Sequence, residues 1–160
     1  MGHKLLATFL LTVAFPALAA ADSGSYRKEA ALQALFTVGV PYRYGGNSPE
    51  TGFDCSGLVS HVFERAWGVE VPRGTQAQRG VGRPVKRLRD LQPGDLVFYD
   101  TRNRPYSHVG IYLGDGNFVH APRPGQRVRI ESVHNPYWRA RFNGARRIDP
   151  PRYLTASASR

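Results

Sequence analysis

The chain has 160 residues, with 22 Lys and Arg against 12 Asp and Glu for a net charge of +10. That length suits one domain with one core and excludes two. The charge favours polyanionic partners, but the basic residues are scattered and come with no recognition helix or aromatic platform, so nucleic acid is not an expected partner.

Residues 1–21 combine a basic start at Lys4, an apolar stretch from Leu5 to Phe15 and the alanine-rich end Ala17-Leu18-Ala19-Ala20-Ala21. This pattern predicts a cleavable signal peptide. The apolar stretch falls short of the roughly 20 residues that span a bilayer, so no integral membrane segment is expected after cleavage. Export to the periplasm or to the cell wall and exterior follows. Losing Lys4 leaves 21 basic against 12 acidic residues, or +9. Residues 22–149 then form the domain, and residues 150–160, small and polar, a flexible tail.

A first helix is predicted from about Tyr26 to Val38, with Ser25 as cap, Leu32, Leu35 and Phe36 on one face, and Gly39 as the stop. Pro41 to Pro49 reads as a loop. In the next helix Cys55, Leu58, Val59, Val62, Phe63, Ala66 and Trp67 repeat at helical spacing, Gly68 ends the run, and Asp54 is placed to cap its start. Val71 to Gln78 suggests a short turn or helix. Strands are predicted at Leu96 to Tyr99, Ser107 to Leu113, Phe118 to Ala121, Arg127 to Glu131 and Ala145 to Ile148. Helices followed by consecutive strands predict an α+β fold, its N-terminal helices packed on an antiparallel sheet.

The hairpin joining the second and third of these strands decides whether two histidines can cooperate. Val109, Ile111 and Leu113 alternate with His108, Gly110 and Tyr112. An odd connection such as Gly114-Asp115-Gly116, or an equivalent bulge, sets Ile111 against Val119 and puts His108 and His120 on one face. A plain two-residue turn sets His120 opposite Ile111 and breaks the apolar pairing.

Cys55 is the single cysteine, in a chain expected to be exported, where thiols tend to pair. Three readings stand: a core residue in phase with its helix stripe, an intermolecular disulfide, or a nucleophile. For the third, the helix start and a His108 imidazolium are expected to bring the thiol below its ordinary pKa of about 8.5, while the charge of Asp54 opposes them. The oxyanion would meet the Cys55 N–H and a tyrosine from the Tyr42/Tyr44 loop, and His120 would orient His108. Zinc on Cys55, His108 and His120 lacks any supporting ligand spacing, so no metal or cofactor is expected. His61 falls off its helix stripe and His134 lies in a loop; neither is given a role.

Several segments together closely resemble the NlpC/P60 family of cell-wall cysteine peptidases. They are Pro41-Tyr42-Arg43-Tyr44-Gly45-Gly46, Asp54-Cys55-Ser56-Gly57-Leu58-Val59, Pro72-Arg73-Gly74-Thr75, Pro93-Gly94-Asp95-Leu96-Val97-Phe98, His108 to Gly114, and Val119-His120-Ala121. The resemblance implies a papain-like fold and metal-free hydrolysis of amide bonds in peptidoglycan stem peptides or their crosslinks. By motif position Cys55 matches the nucleophile, His108 the base and His120 the third polar residue. Tyr42 matches the tyrosine near the oxyanion, and Asp54 and Ser56 match substrate-contacting positions. The Arg-rich segment Thr101 to Tyr106 departs from the pattern, and Arg73, Arg102 and Arg104 are candidates to flank the cleft. No wall-binding module is visible, so targeting is expected from the domain itself or from a regulatory or targeting protein. The rival readings are a catalytically silent peptidoglycan-binding module and an amidase or acyl hydrolase of related fold.

Overall fold

A computed structural model describes residues 23–151. The expected signal peptide, residues 1–21, and residues 152–160 of the expected tail lie outside the described residues. Among the described residues no helix is long and apolar enough to cross a membrane.

The first helix, α1, is Ser23–Leu35, and its buried face differs from the expected one. Ala30 and Ala34 are fully buried, whereas Leu32, Leu35 and Phe36 are 46%, 40% and 73% exposed. Small side chains let the helix backbone come close to its support, where a Cβ on Gly94 would lie 3.0 Å from the Arg27 carbonyl oxygen. The indole Nε1 of Trp67 donates to the Tyr26 carbonyl at 3.0 Å and ties α1 to the next helix.

Two short strands, β1 (Asn47–Ser48) and β2 (Gly52–Phe53), pair with each other before α2 (Cys55–Trp67). The second helix follows its sequence pattern. Asp54 caps it by accepting from the Gly57 N–H at 2.7 Å, and Gly68 ends it in the left-handed conformation at φ 64°. Leu58, Val59, Val62 and Phe63 are fully buried. Helix α3 is the single turn Thr75–Gln78.

Six strands form one antiparallel sheet: β3 (Arg83–Val85), β4 (Leu96–Tyr99), β5 (His108–Gly114), β6 (Asn117–His120), β7 (Arg129–Ser132) and β8 (Phe142–Arg147). Their spatial order is β3-β8-β4-β5-β6-β7. The fold is the α+β class expected. Strand β3 was not predicted, and β8 starts three residues before the expected Ala145, because Phe142-Asn143-Gly144 shows no alternation. A short helix, α4 (Pro136–Arg141), was also missed.

Alternation along the strands builds a core on each face of the sheet. Leu96, Phe98, Val109, Ile111 and Val119 join the buried side chains of α1 and α2 on one face. On the other, Val97, Tyr99, Tyr112 and Phe118 gather around Trp138 of α4.

Asp95, the residue before β4, is wholly buried and grips Arg147 of β8 through two contacts of 2.7 Å. It also caps the preceding turn by accepting from the Gln92 N–H at 2.8 Å. Removing one partner strands the other's charge in the interior, so Asp95→Ala is expected to cost about 3–5 kcal/mol. Urea unfolding of the variant checks this; a loss under about 1 kcal/mol means the pair is not a structural clamp.

Candidate active site

The first turn of α2 is fixed by the loop that lies on it. Asp54 uses both carboxylate oxygens: Oδ1 accepts from Gly57 N–H and from Ser56 Oγ at 3.0 Å, and Oδ2 from Gly45 N–H at 2.9 Å and Arg73 Nη2 at 3.2 Å. Arg73 also donates to the Gly45 carbonyl at 3.2 Å. Gly57 is required here, because a Cβ on it would overlap the carbonyl oxygen of Gly46. The polar atoms of Asp54 and the hydroxyl of Ser56, expected at substrate-contacting positions, are thus turned on the protein itself. Buried Gln78 supports the same turn, its Nε2 donating to the carbonyls of Ser56 and Pro72 at 2.9 Å each.

Cys55 is the first residue of α2, half-buried and packed against the core. Burial pushes its thiol pKa up to about 11, and the neighbouring Asp54 carboxylate pushes the same way. The backbone N–H groups of Val109 and Ser56, and more weakly Arg102, act in the opposite direction. The expected depression of the resting pKa is therefore reversed. Desolvation on the core stripe and an adjacent carboxylate outweigh the helix start. Alkylation of Cys55 by iodoacetamide is accordingly expected to accelerate with pH beyond about 8.5. A reactivity plateau already reached at neutral pH would contradict this environment.

Val109, whose N–H faces the thiol, directly follows His108, so β5 brings His108 to the start of α2. Ile111 pairs with Val119, as the aligned histidines require. The connection is a two-residue Asp115-Gly116 turn, both residues at positive φ, with a register shift between Tyr112 and Gly114. The bulge supplies the extra residue. His108 Nε2 and His120 Nδ1 stand 2.7 Å apart, their rings nearly perpendicular at 87°. Burial holds both imidazoles below their ordinary pKa, His108 at about 4 with Arg102 adding to the shift, and His120 lower still with His108 and Arg129 adding. Both rings are neutral at pH 7. With the shared proton on His108 Nε2, His108 Nδ1 is left as an acceptor.

Trp138 completes the pair's surroundings and was missed in the sequence. Its ring stacks on His108 at 5.7 Å and 24°, and meets His120 edge to face at 4.9 Å and 82°. The available signal was Asn135-Pro136, a cap followed by proline at the first helical position.

Tyr42 lies within electrostatic reach of Cys55 and Arg102. Its pKa is raised by burial first and then by the charges of Cys55 and Asp54, with Arg102 opposing. Tyr44 is 83% exposed. A cavity of about 480 Å³ opens beside His108, lined among others by Arg102, Arg123, Arg129, Tyr137 and Trp138. Of the three arginines expected to flank a cleft, Arg102 lines this cavity, Arg73 is held by Asp54, and Arg104 lies outside it. Among the described residues no three His, Cys, Asp or Glu side chains converge as a metal site.

The family model described as the NlpC/P60 family matches residues 39–147. Over 120 residues, 73% of this chain and 44% of the relative, the sequence is 42% identical to murein DD-endopeptidase MepH of Escherichia coli K12. It is 40% identical over 131 residues to the gamma-DL-glutamyl hydrolase of Bacillus subtilis 168, covering 81% of this chain and 31% of that protein. The chain thus spans less than half the length of either relative. Among solved structures it resembles the NlpC/p60 domain of the peptidoglycan hydrolase SagA, at a TM-score of 0.65 and 33% identity, covering 76% of this chain and 98% of that one.

Proposed function

The chain belongs to the NlpC/P60 family, and from that membership we propose that it is an exported cysteine endopeptidase cleaving amide bonds in peptidoglycan stem peptides or their crosslinks. The observation that carries this is the 2.7 Å contact between His108 and His120 beside the thiol-bearing end of α2. The two relatives are named for different bonds, a DD bond and a gamma-DL-glutamyl bond, so membership supports the class of substrate and not one bond.

The resting pair is a neutral thiol and a neutral imidazole, so the reaction begins with proton transfer when substrate is in place. Cys55 Sγ attacks the carbonyl carbon as its proton passes to His108 Nδ1, forming a C–S bond and a tetrahedral oxyanion. The Cys55 N–H and the Tyr42 hydroxyl serve as oxyanion donors. Tyr42 suits this role because its raised pKa keeps the hydroxyl protonated at neutral pH. Collapse of the intermediate breaks the C–N bond, and His108 gives its proton to the departing amine. A water then attacks the thioester, loses a proton to His108, and breaks the C–S bond to restore the thiol. In this reading His120 accepts from His108 Nε2–H throughout, which leaves Nδ1 free to take and return the proton.

Mass spectra of purified peptidoglycan digested with the protein test this reading. Severed peptides on intact glycan strands are expected. Release of whole stem peptides from the sugar would indicate an amidase, and unchanged wall with binding retained would indicate a silent binding module.

A further inference from the structure

The cavity beside His108 carries more positive charge than the proposed chemistry uses. Its lining includes Arg102, Arg123 and Arg129 against the single carboxylate of Glu131. That carboxylate is already taken, since Arg129 Nε holds Glu131 Oε1 at 2.8 Å while its Nη1 donates to Gln126. Arg102 and Arg123 have no acidic partner among the described residues; the neighbour of Arg102 is the neutral Tyr42. Two uncompensated guanidinium groups therefore share a concave site with the imidazole that hands a proton to the leaving amine.

The position of His108 fixes which part of a substrate enters. The amine leaves on the side of the group that protonates it, so the fragment released as an amine occupies this cavity. We propose that the cavity selects amine-side fragments with a free carboxylate on the carbon that bears the released amine, paired with Arg102 and Arg123, with Tyr137 and Trp138 as the apolar wall. Guanidinium groups suit this task because their planar donors engage a carboxylate in two parallel hydrogen bonds. The inference rests on the peptidase reading and refines its substrate. In a crosslink to a diamino dicarboxylic acid, the released amine and a free carboxylate share one carbon. In a stem bond preceding that residue, the corresponding carboxyl is joined to whatever follows. The cavity accordingly favours the crosslink, or a stem that ends at the diamino acid.

Two synthetic peptides that differ only at the carboxyl next to the leaving amine, one free acid and one carboxamide, test the assignment. The wild-type protein is expected to cleave the acid with a kcat/KM at least about ten times higher, chiefly through KM. Arg123→Gln is expected to bring that ratio close to one, and Arg104→Gln, outside the cavity, to leave the ratio as it was. Equal rates on acid and amide in the wild type, or a ratio untouched by Arg123→Gln, overturn the proposal. If neither peptide is cut, calorimetry on the Cys55→Ala protein separates the two ideas. Tighter binding of the acid then supports the cavity assignment while the peptidase reading fails, and equal binding of the two peptides overturns the cavity assignment as well.

Discussion

Replacing Cys55 with Ala is expected to abolish wall cleavage, lowering kcat by about 10⁴-fold or more, because no other group in the site can form the acyl intermediate. The fold should tolerate the change. Ala lacks only the sulfur, and the first turn of α2 is fixed by Asp54, Gly57 and Gln78 rather than by the thiol. Circular dichroism and binding to purified peptidoglycan should match the wild type while product release is lost. Cleavage that survives the substitution removes Cys55 from the mechanism.

The second large effect is expected at His120. The role proposed for it is to accept one hydrogen bond at Nδ1, across the 2.7 Å contact with His108 Nε2, and so hold His108 in the tautomer with Nδ1 free. His120→Ala removes that acceptor and opens a void beside Trp138 and Phe118, and kcat should fall by roughly 10²–10⁴-fold. His120→Asn or His120→Gln offers a carbonyl oxygen in place of the ring nitrogen and is expected to keep more activity than Ala. Equal losses in Ala, Asn and Gln would mean that the ring acts by packing alone. Thermal melts run beside the kinetics separate a lost orientation from a lost fold.

The parts of this molecule that were legible in the sequence are those governed by local repetition. The stripe from Leu58 to Trp67 specified α2, and Asp54 and Gly68 marked its ends, because capping needs only residues next to the helix. The alternation through Val109, Ile111 and Val119 placed two histidines on one face, because a slip of one residue would have turned every apolar side chain outward. What failed depended on neighbours far along the chain. Helix α1 buries Ala30 and Ala34 because its support comes close at Gly94, which no pattern within the helix announces. Strand β3 is three residues long and is defined by pairing with β8, some sixty residues later. The reversed shift of the Cys55 thiol has the same origin. The helix start and the histidine were visible in the sequence, but the desolvation that outweighs them belongs to the assembled core.

The candidate site follows the same division. Cys55, His108 and His120 are brought to one end of the sheet by α2 and the β5–β6 hairpin. Trp138 follows a short cap-and-proline signal at Asn135-Pro136 and Arg123 comes from a segment without a distinctive pattern, yet both line the cavity where a substrate's leaving side is proposed to lie. Arg102 was read as a flank of the cleft. It also acts electrostatically on Tyr42, Cys55 and His108, as well as lining the cavity.

If peptide cleavage passes through a thioester on Cys55, hydroxylamine will trap it. Hydroxylamine competes with water for the acyl group, so digestion of a wall peptide in its presence should divide the acyl product between acid and hydroxamate, with the hydroxamate share rising with hydroxylamine concentration. Mass spectrometry of the released fragments reads both products. Hydroxamate is expected from the wild-type protein and none from Cys55→Ala; active wild-type protein that yields acid alone at every hydroxylamine concentration would exclude the thioester.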